Sequence, residues 1–463
     1  MKCPVCDNVN TSRVCIRCGF DSSRDYENYP TFGAVGKAPS TSGLRKRWQT
    51  NQKTPFWLIA ALCALSMVLG IAIGAGIHKP VPTEPGESMQ MQESAETTVP
   101  PETTESPDPW ETNILRSDKI PDSDGRGGYG INEAERFSVF GSDYWRKQIT
   151  SVTFLDTLAD APADAWDVSE AGDGKVLAWV KKSGARYDLL IGAEGGIRAG
   201  ASCEDLFAGY TNVKSITFAE AFHTEYTQDM RRMFFACESL PKLTLGDHFI
   251  TSNVLDMHAM FYLCNTLTEL SLGDRFDTSN VQDMGFMFSN CWSLQKLTLG
   301  SHFDTSNVLD MRAMFYYCNT LTELSLGDRF DTSNVKDMSA MFQECKSLKE
   351  LTLGSHFDTS NVKDMSAMFQ WCESLTELTL GDHFITSKVH DMSSMFSHCI
   401  SLPKLTLGSH FDTSNVKDMR LMFSRCPSLT DLTLGDHFDT TNADTSLMFE
   451  YCPAGDDYQH LVH

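Results

Sequence analysis

Met-Phe pairs recur along the second half of the chain, at Met233, Met260, Met287, Met314, Met341, Met368, Met395, Met422 and Met448, always 27 residues apart except for a final 26. The apolar positions around each pair keep the same phase. In one unit, Leu321, Leu324 and Leu326 of LTELSL, then Phe330, Val335, Met338, Met341, Phe342 and Cys345 mark the inward positions, and polar residues fill the rest. A degenerate unit precedes the regular ones, with Leu206, Phe207, Val213, Ile216, Phe218 and Phe222 in the same columns. A fixed period of this size predicts a repeat solenoid of about ten 26–27-residue coils.

Within a coil, the end of LTELSL alternates as a short parallel strand does. Gly327 lets the chain turn out of it, and Asp331–Asn334 (DTSN) is turn chemistry. Val335 to Cys345 is expected to form a second short strand and a short helical turn. One coil has too few apolar side chains to offset the entropy of ordering its backbone, so coils must stack on one another. Ahead of them, KVLAWVKKSGARYDLLIGA (Lys175–Ala193) reads as a β-hairpin that caps the first coil.

Stacking puts nine cysteines, Cys237 to Cys452, in one column. Side chains of parallel neighbours hold about the ~4.8 Å strand spacing, whereas a disulfide needs Cβ atoms ~3.8 Å apart in crossed geometry. The column is therefore expected to hold free, buried thiols acting as small hydrophobes.

A different hydrophobic pattern occupies Pro55–Ile77, which carries no charge on any face. At ~1.5 Å rise per residue its helix would cover the ~30 Å hydrocarbon core of a bilayer. Arg45, Lys46, Arg47 and Lys53 precede it and only Lys79 closely follows, which places the N-terminus in the cytoplasm and the C-terminal region outside. After the span, residues rich in Pro, Glu, Thr and Ser are too poor in apolar side chains to fold and read as an extended stalk. The expected organisation is a metal-binding head (1–20), a cytoplasmic linker (21–53), a transmembrane helix (54–78), a disordered stalk (79–127), a cap region (128–200) and the solenoid (201–463).

Charge sharpens the picture. Of the net −23, residues 1–78 carry +5 and the rest −28, so the large acidic part repels phosphate backbones and is not expected to bind nucleic acid. In the head, Cys3-x-x-Cys6 and Cys15-x-x-Cys18 offer four thiolates to one tetrahedral Zn²⁺. With four protein thiolates there is no open position, so the zinc is expected to be structural.

The head resembles the short zinc ribbons at the N-termini of many bacterial membrane proteins, although Asp7 stands where a glycine is frequent. Over about residues 200–452, the pattern MFxxCxSLxxLxLxxxFDTSNVxDMxxMF resembles the repeat of BspA-type leucine-rich-repeat bacterial surface proteins. That resemblance implies a leucine-rich-repeat solenoid, a cell-surface location, adhesion to a protein or glycan partner, and no catalysis. Phe replaces the usual Asn after the strand.

Three polar columns on the strand side are the expected binding face. One is Lys242, Glu269, Lys296, Glu323, Glu350, Glu377, Lys404 and Asp431. Beside it lies a Thr/Ser column that includes Thr352 and Thr379, and after the strand comes a His/Arg column that includes His356 and His383. Solenoids use such faces for extended ligands; the alternative is a merely solvated face that discourages lateral pairing. If the histidines charge together near pH ~6.5, the array should lose stability in acid. No unmatched nucleophile–base set, G-x-S-x-G, Walker A or HExxH motif is present. The expected function is adhesion by a single-pass surface protein with no enzymatic activity. The alternative is a transmembrane sensor that couples the ectodomain to a cytoplasmic zinc-ribbon partner.

Overall fold

In a computed structural model of the chain, which describes residues 109–120 and 134–462, each coil is built from hydrogen bonds that alternate between itself and the next. The amides of Met341, Gln343 and Cys345 bond the carbonyls of Met338, Ala340 and Phe342, three residues back. The amides of Met338, Ala340, Phe342 and Glu344 instead bond Asp364, Ser366, Met368 and Gln370 in the following coil, at 2.8–3.0 Å. This corrects the expected helical turn. A helix directs every amide four residues back; here Ala340 (φ 56°) and Glu344 (φ 63°) are left-handed, which turns alternate peptides outward along the stack. Single parallel bridges run unbroken from Ser202 through Asp229, Asp256, Asp283, Asp310, Asp337, Asp364, Asp391 and Asp418 to Asp444. Ten coils are thus joined on this side.

The strand side pairs less continuously. β9 (Lys242–Leu243), β10 (Glu269–Ser271) and β11 (Lys296–Thr298) form one parallel sheet. β12 (Glu350–Thr352) pairs with β13 (Glu377–Thr379), and β14 (Lys404–Thr406) with β15 (Asp431–Thr433). Leu321–Leu326 forms no strand. Charge does not explain the breaks, because Glu350 and Glu377 pair although both are acidic.

All the inward residues are buried in one continuous core. Val335, Met338, Met341, Phe342 and Cys345 have no exposed surface. Phe rings stack from coil to coil, with Phe342 centred 5.5 Å from Phe315 and 5.6 Å from Phe369, and a second file runs through Phe330, Phe357 and Phe384. Among the described residues the cysteines are free and buried, and Cys345 Sγ donates to the Phe315 carbonyl at 3.2 Å.

DTSN is more than a turn. Asp331 Oδ1 accepts the Ser333 amide, the buried Thr332 hydroxyl donates to the Asp358 carbonyl at 2.8 Å, and Asn334 Nδ2 donates back to Ser306. The motif is therefore an inter-coil clamp repeated along the array. Gly327 has the positive φ (75°) its turn requires.

The expected hairpin is present as β4 (Leu177–Ser183) and β5 (Arg186–Gly192). It does not reach the first coil directly. β2 (Ile149–Leu155) lies between β5 and the first coil's strand β7 (Ser215–Thr217), parallel to both. At the other end, Tyr458 stacks on Phe449 and closes the ring file.

One boundary moves. Residues 109–120, placed within the expected stalk (79–127), pack on the folded body. A short helix α1 (Pro109–Thr112) leads to β1 (Ile114–Leu115), which pairs with β6 (Ile197–Ala199), itself paired with β8 (Phe222–His223). Asn113 donates to the Glu194 and Gly196 carbonyls. The buried Arg146 guanidinium bonds the Asp205 and Ala208 carbonyls and pairs with Asp118. Among the described residues no helix is long and apolar enough to cross a membrane; the expected span 55–77, the linker and the zinc head lie outside them.

Candidate functional site

The strand-side columns are exposed, as expected. Glu269 lies in register between Lys242 and Lys296, and Lys404 Nζ reaches Asp431 at 2.7 Å. Thr352 and Thr379 sit side by side in β12 and β13. Glu323 is exposed in the segment that forms no strand. His356 and His383 project outward, but their backbone carbonyls have a structural task, accepting the Thr332 and Thr359 amides of the preceding coil. The side chains of this face repeat the same three polar columns from coil to coil. The proposed zinc ligands Cys3, Cys6, Cys15 and Cys18 lie outside the described residues.

The turn side presents a second candidate, which sequence reasoning passed over. One left-handed position per coil runs Gly209, Ala236, Leu263, Asn290, Tyr317, Glu344, Trp371, His398, Arg425 and Tyr451. The cysteine column immediately after it is uniform from Cys237 to Cys452, yet this column holds nine different residue types in ten coils. Its side chains interact along the stack. Trp371 lies on His398 with centroids 3.7 Å apart, Lys346 Nζ is 5.3 Å from the Trp371 ring centroid, and Arg425 covers Tyr451. Lys346 also pairs with Glu344 and Glu373. Burial, then the Arg425 and Lys346 charges, holds His398 down to about 4, so its imidazole is neutral at pH 7.

Flanking it is a carboxylate column, also missed. Each bridging aspartate accepts the amide two residues on, as Asp256 Oδ1 does from His258 and Asp364 Oδ1 from Ser366. Burial first, with repulsion from Asp283 and Asp229, pushes Asp256 up to about 6. Asp310 and Asp364 are raised for the same first reason. Burial also pulls on Asp283, but the His258 hydrogen bond and charge bring it below its ordinary value. The only signal in the sequence was the recurrent VxDM, and the Met beside it drew attention to the core instead.

At the first coil, His223, Glu225 and His248 place potential ligand atoms within 4.8 Å of one another. His248 belonged to the expected His/Arg column; His223 and Glu225 were not singled out, because they lie in the degenerate coil, at the places that Asp277 and Ser279 take in the regular DTSN. Burial holds His223 below its ordinary pKa, with Glu225 opposing.

A family model described as "Mycoplasma protein of unknown function, DUF285" matches residues 201–323, 295–402 and 352–457, which together span more than half the chain. No curated protein and no solved structure matches it.

Proposed function

The chain belongs to the DUF285 family, and from that premise we propose that it is a membrane-anchored cell-surface protein whose solenoid, of the BspA-like leucine-rich-repeat type, binds an extended protein or glycan. The zinc head would be cytoplasmic, with Zn²⁺ on Cys3, Cys6, Cys15 and Cys18, and residues 55–77 would hold the chain in the bilayer.

The observation that carries the reading is the varied left-handed column. A non-glycine residue there costs roughly 1–2 kcal/mol of backbone strain, and Gly209 shows that glycine fits. The chain nevertheless carries Tyr317, Trp371, His398 and Arg425 at such positions. The strain belongs to the turn, since Ala313, Ala340 and Ala367 share it; the diversity of side chains at this one turn position is what points to recognition. The partly exposed Trp371 beside Lys346 and the exposed Tyr451 beside Arg425 suit sugar faces or peptide side chains. A binding array also agrees with a pattern that offers repeated surface and no single reactive constellation.

The test has two arms. Protease shaving of intact cells should release array peptides such as 364–388 and leave the Cys3–Cys18 segment protected. Cells carrying the triple variant Trp371→Ala, His398→Ala, Arg425→Ala should lose attachment, while Lys296→Ala with Glu350→Ala should retain it. A protected array, or attachment unaffected by the triple variant, would defeat the proposal.

A further inference from the structure

We infer that His223, Glu225 and His248 hold one divalent transition-metal ion at the seam where residues 109–115 dock on the first coil. The inference is independent of the adhesion reading.

The distances suit the chemistry. Glu225 Oε1 lies 3.5 Å from His223 Nδ1 and 3.7 Å from His248 Nδ1. Ligand atoms around a tetrahedral zinc-like ion, each ~2.0–2.2 Å from the metal, stand about 3.3 Å apart. Closing on an ion needs only small side-chain rotations.

The lone pairs are available. His223 is 5% exposed, and its Nδ1 and the Glu225 Oε2 are buried atoms without a hydrogen-bond partner. Buried polar atoms normally have one. The Glu225 side chain and the Glu220 backbone are both hydrogen-bond partners of the His223 ring. The Glu220 carboxylate lies 3.1 Å from His248 Nε2. Both rings turn Nδ1 toward the Glu225 carboxylate, and Glu220 stands at His248 Nε2 as an outer-shell partner of the kind that orients metal-ligating histidines.

The surroundings fix the rings in place. Trp110 stacks on His223 with centroids 4.2 Å apart and planes 6° from parallel. Gly196, at φ 106°, leaves the space that a Cβ would narrow to 3.3 Å from His223 Nε2. One coil further on, Ile250 and Ser252 replace His223 and Glu225, so the set occurs at this coil and not at the next. Two imidazoles and one carboxylate favour zinc, cobalt, nickel or iron over calcium or magnesium. A fourth position remains for water or a group from a partner.

The test uses the full chain in detergent micelles with Cys3, Cys6, Cys15 and Cys18 changed to Ser, titrated with Co²⁺. The expected result is visible d–d absorption that saturates at one equivalent and lacks the near-ultraviolet charge-transfer band of thiolate ligation. His223→Asn should abolish it. Glu220→Gln should weaken binding by roughly 10–100-fold. If His223→Asn disturbs folding, His248→Asn, at a half-exposed position, serves in its place, with an unchanged melting temperature without metal as control. No saturating absorption, a thiolate band, or a titration unchanged by His248→Asn and Glu225→Gln would overturn the inference.

Discussion

The two sides of each coil hold the array together in different ways. On the turn side, bridges run without a gap from Ser202 to Asp444, alternate amides cross to the next coil, and Phe, Cys and Thr columns lie beneath. On the strand side the sheet divides into separate pieces, and its outward residues are exposed. The conspicuous LxxLxL pattern directs attention to the strands, yet the continuous spine is the turn side. Strand pairing here is an addition to a stack already fixed elsewhere.

The sharpest way to break this comparison is Phe342→Ala. The ring is fully buried between Phe315 and Phe369, so truncation should cost about 3–5 kcal/mol. Urea unfolding followed by circular dichroism measures it, and hydrogen exchange should show protection lost first in the coils on either side. A cost below ~1 kcal/mol would mean that the ring file is not structural.

Next in size is the Thr clamp. Thr332→Val keeps the shape but removes the donor to the Asp358 carbonyl. Leaving that carbonyl short should cost about 1–3 kcal/mol. Thr352→Val on the exposed strand face should stay within ~0.5 kcal/mol of wild type. Equal losses in the two variants would erase the distinction between the sides.

Much of this was legible in the sequence. The 27-residue period, the inward columns, the free thiols and the hairpin follow from spacing and polarity. The left-handed alternation did not, because Ala340, Glu344 and Trp371 give no local sign of positive φ, which glycine would. The conformation is imposed by inter-coil hydrogen bonds that exist only after stacking. Residues 109–120 were hidden for a related reason. Trp110, Ile114, Leu115 and Ile120 interrupt the stalk composition, but the partners that order the segment, such as Arg146 and Gly196, lie far away in sequence. The His223 cluster combines one residue of the His/Arg column with two that depart from the regular DTSN in the degenerate coil.

Acid acts on the turn side through its partly buried aspartates. Burial raises Asp256, Asp310 and Asp364 in the aspartate column, whereas Asp283 lies below its ordinary value beside His258. Asp256 faces Asp229 and Asp283 in the neighbouring coils, with Arg231 in the preceding coil opposing them and the His258 amide bonded to its carboxylate. Its folded pKa of about 6 lies above the ordinary 3.8. The native state therefore holds the proton more tightly, and the stability this residue contributes is present below pH ~4 and lost as pH rises through about 6. Asp256→Asn keeps the acceptor for the His258 amide and should gain roughly 1–2 kcal/mol at pH 7 after allowance for solvent screening. The gain should vanish near pH 4. Melting curves of both forms at the two pH values decide it, and a gain that persists at pH 4 would exclude a charge effect.

The smallest effect belongs to the strand side. Lys404 and Asp431 form a 2.7 Å ion pair across β14 and β15, yet their side chains are 64% and 55% exposed. Water screens such a pair, and holding both side chains costs entropy, so Lys404→Ala should change stability by no more than ~0.5 kcal/mol. Moderate salt should remove even that difference. This variant is informative because its geometry is the best on that face. If the best-formed charged contact between two strands can be deleted without consequence, the columns Lys242–Asp431 are free to vary without endangering the stack. A loss above ~1.5 kcal/mol that survives high salt would instead show the strand side sharing the load, and the turn side would no longer be the sole spine of the array.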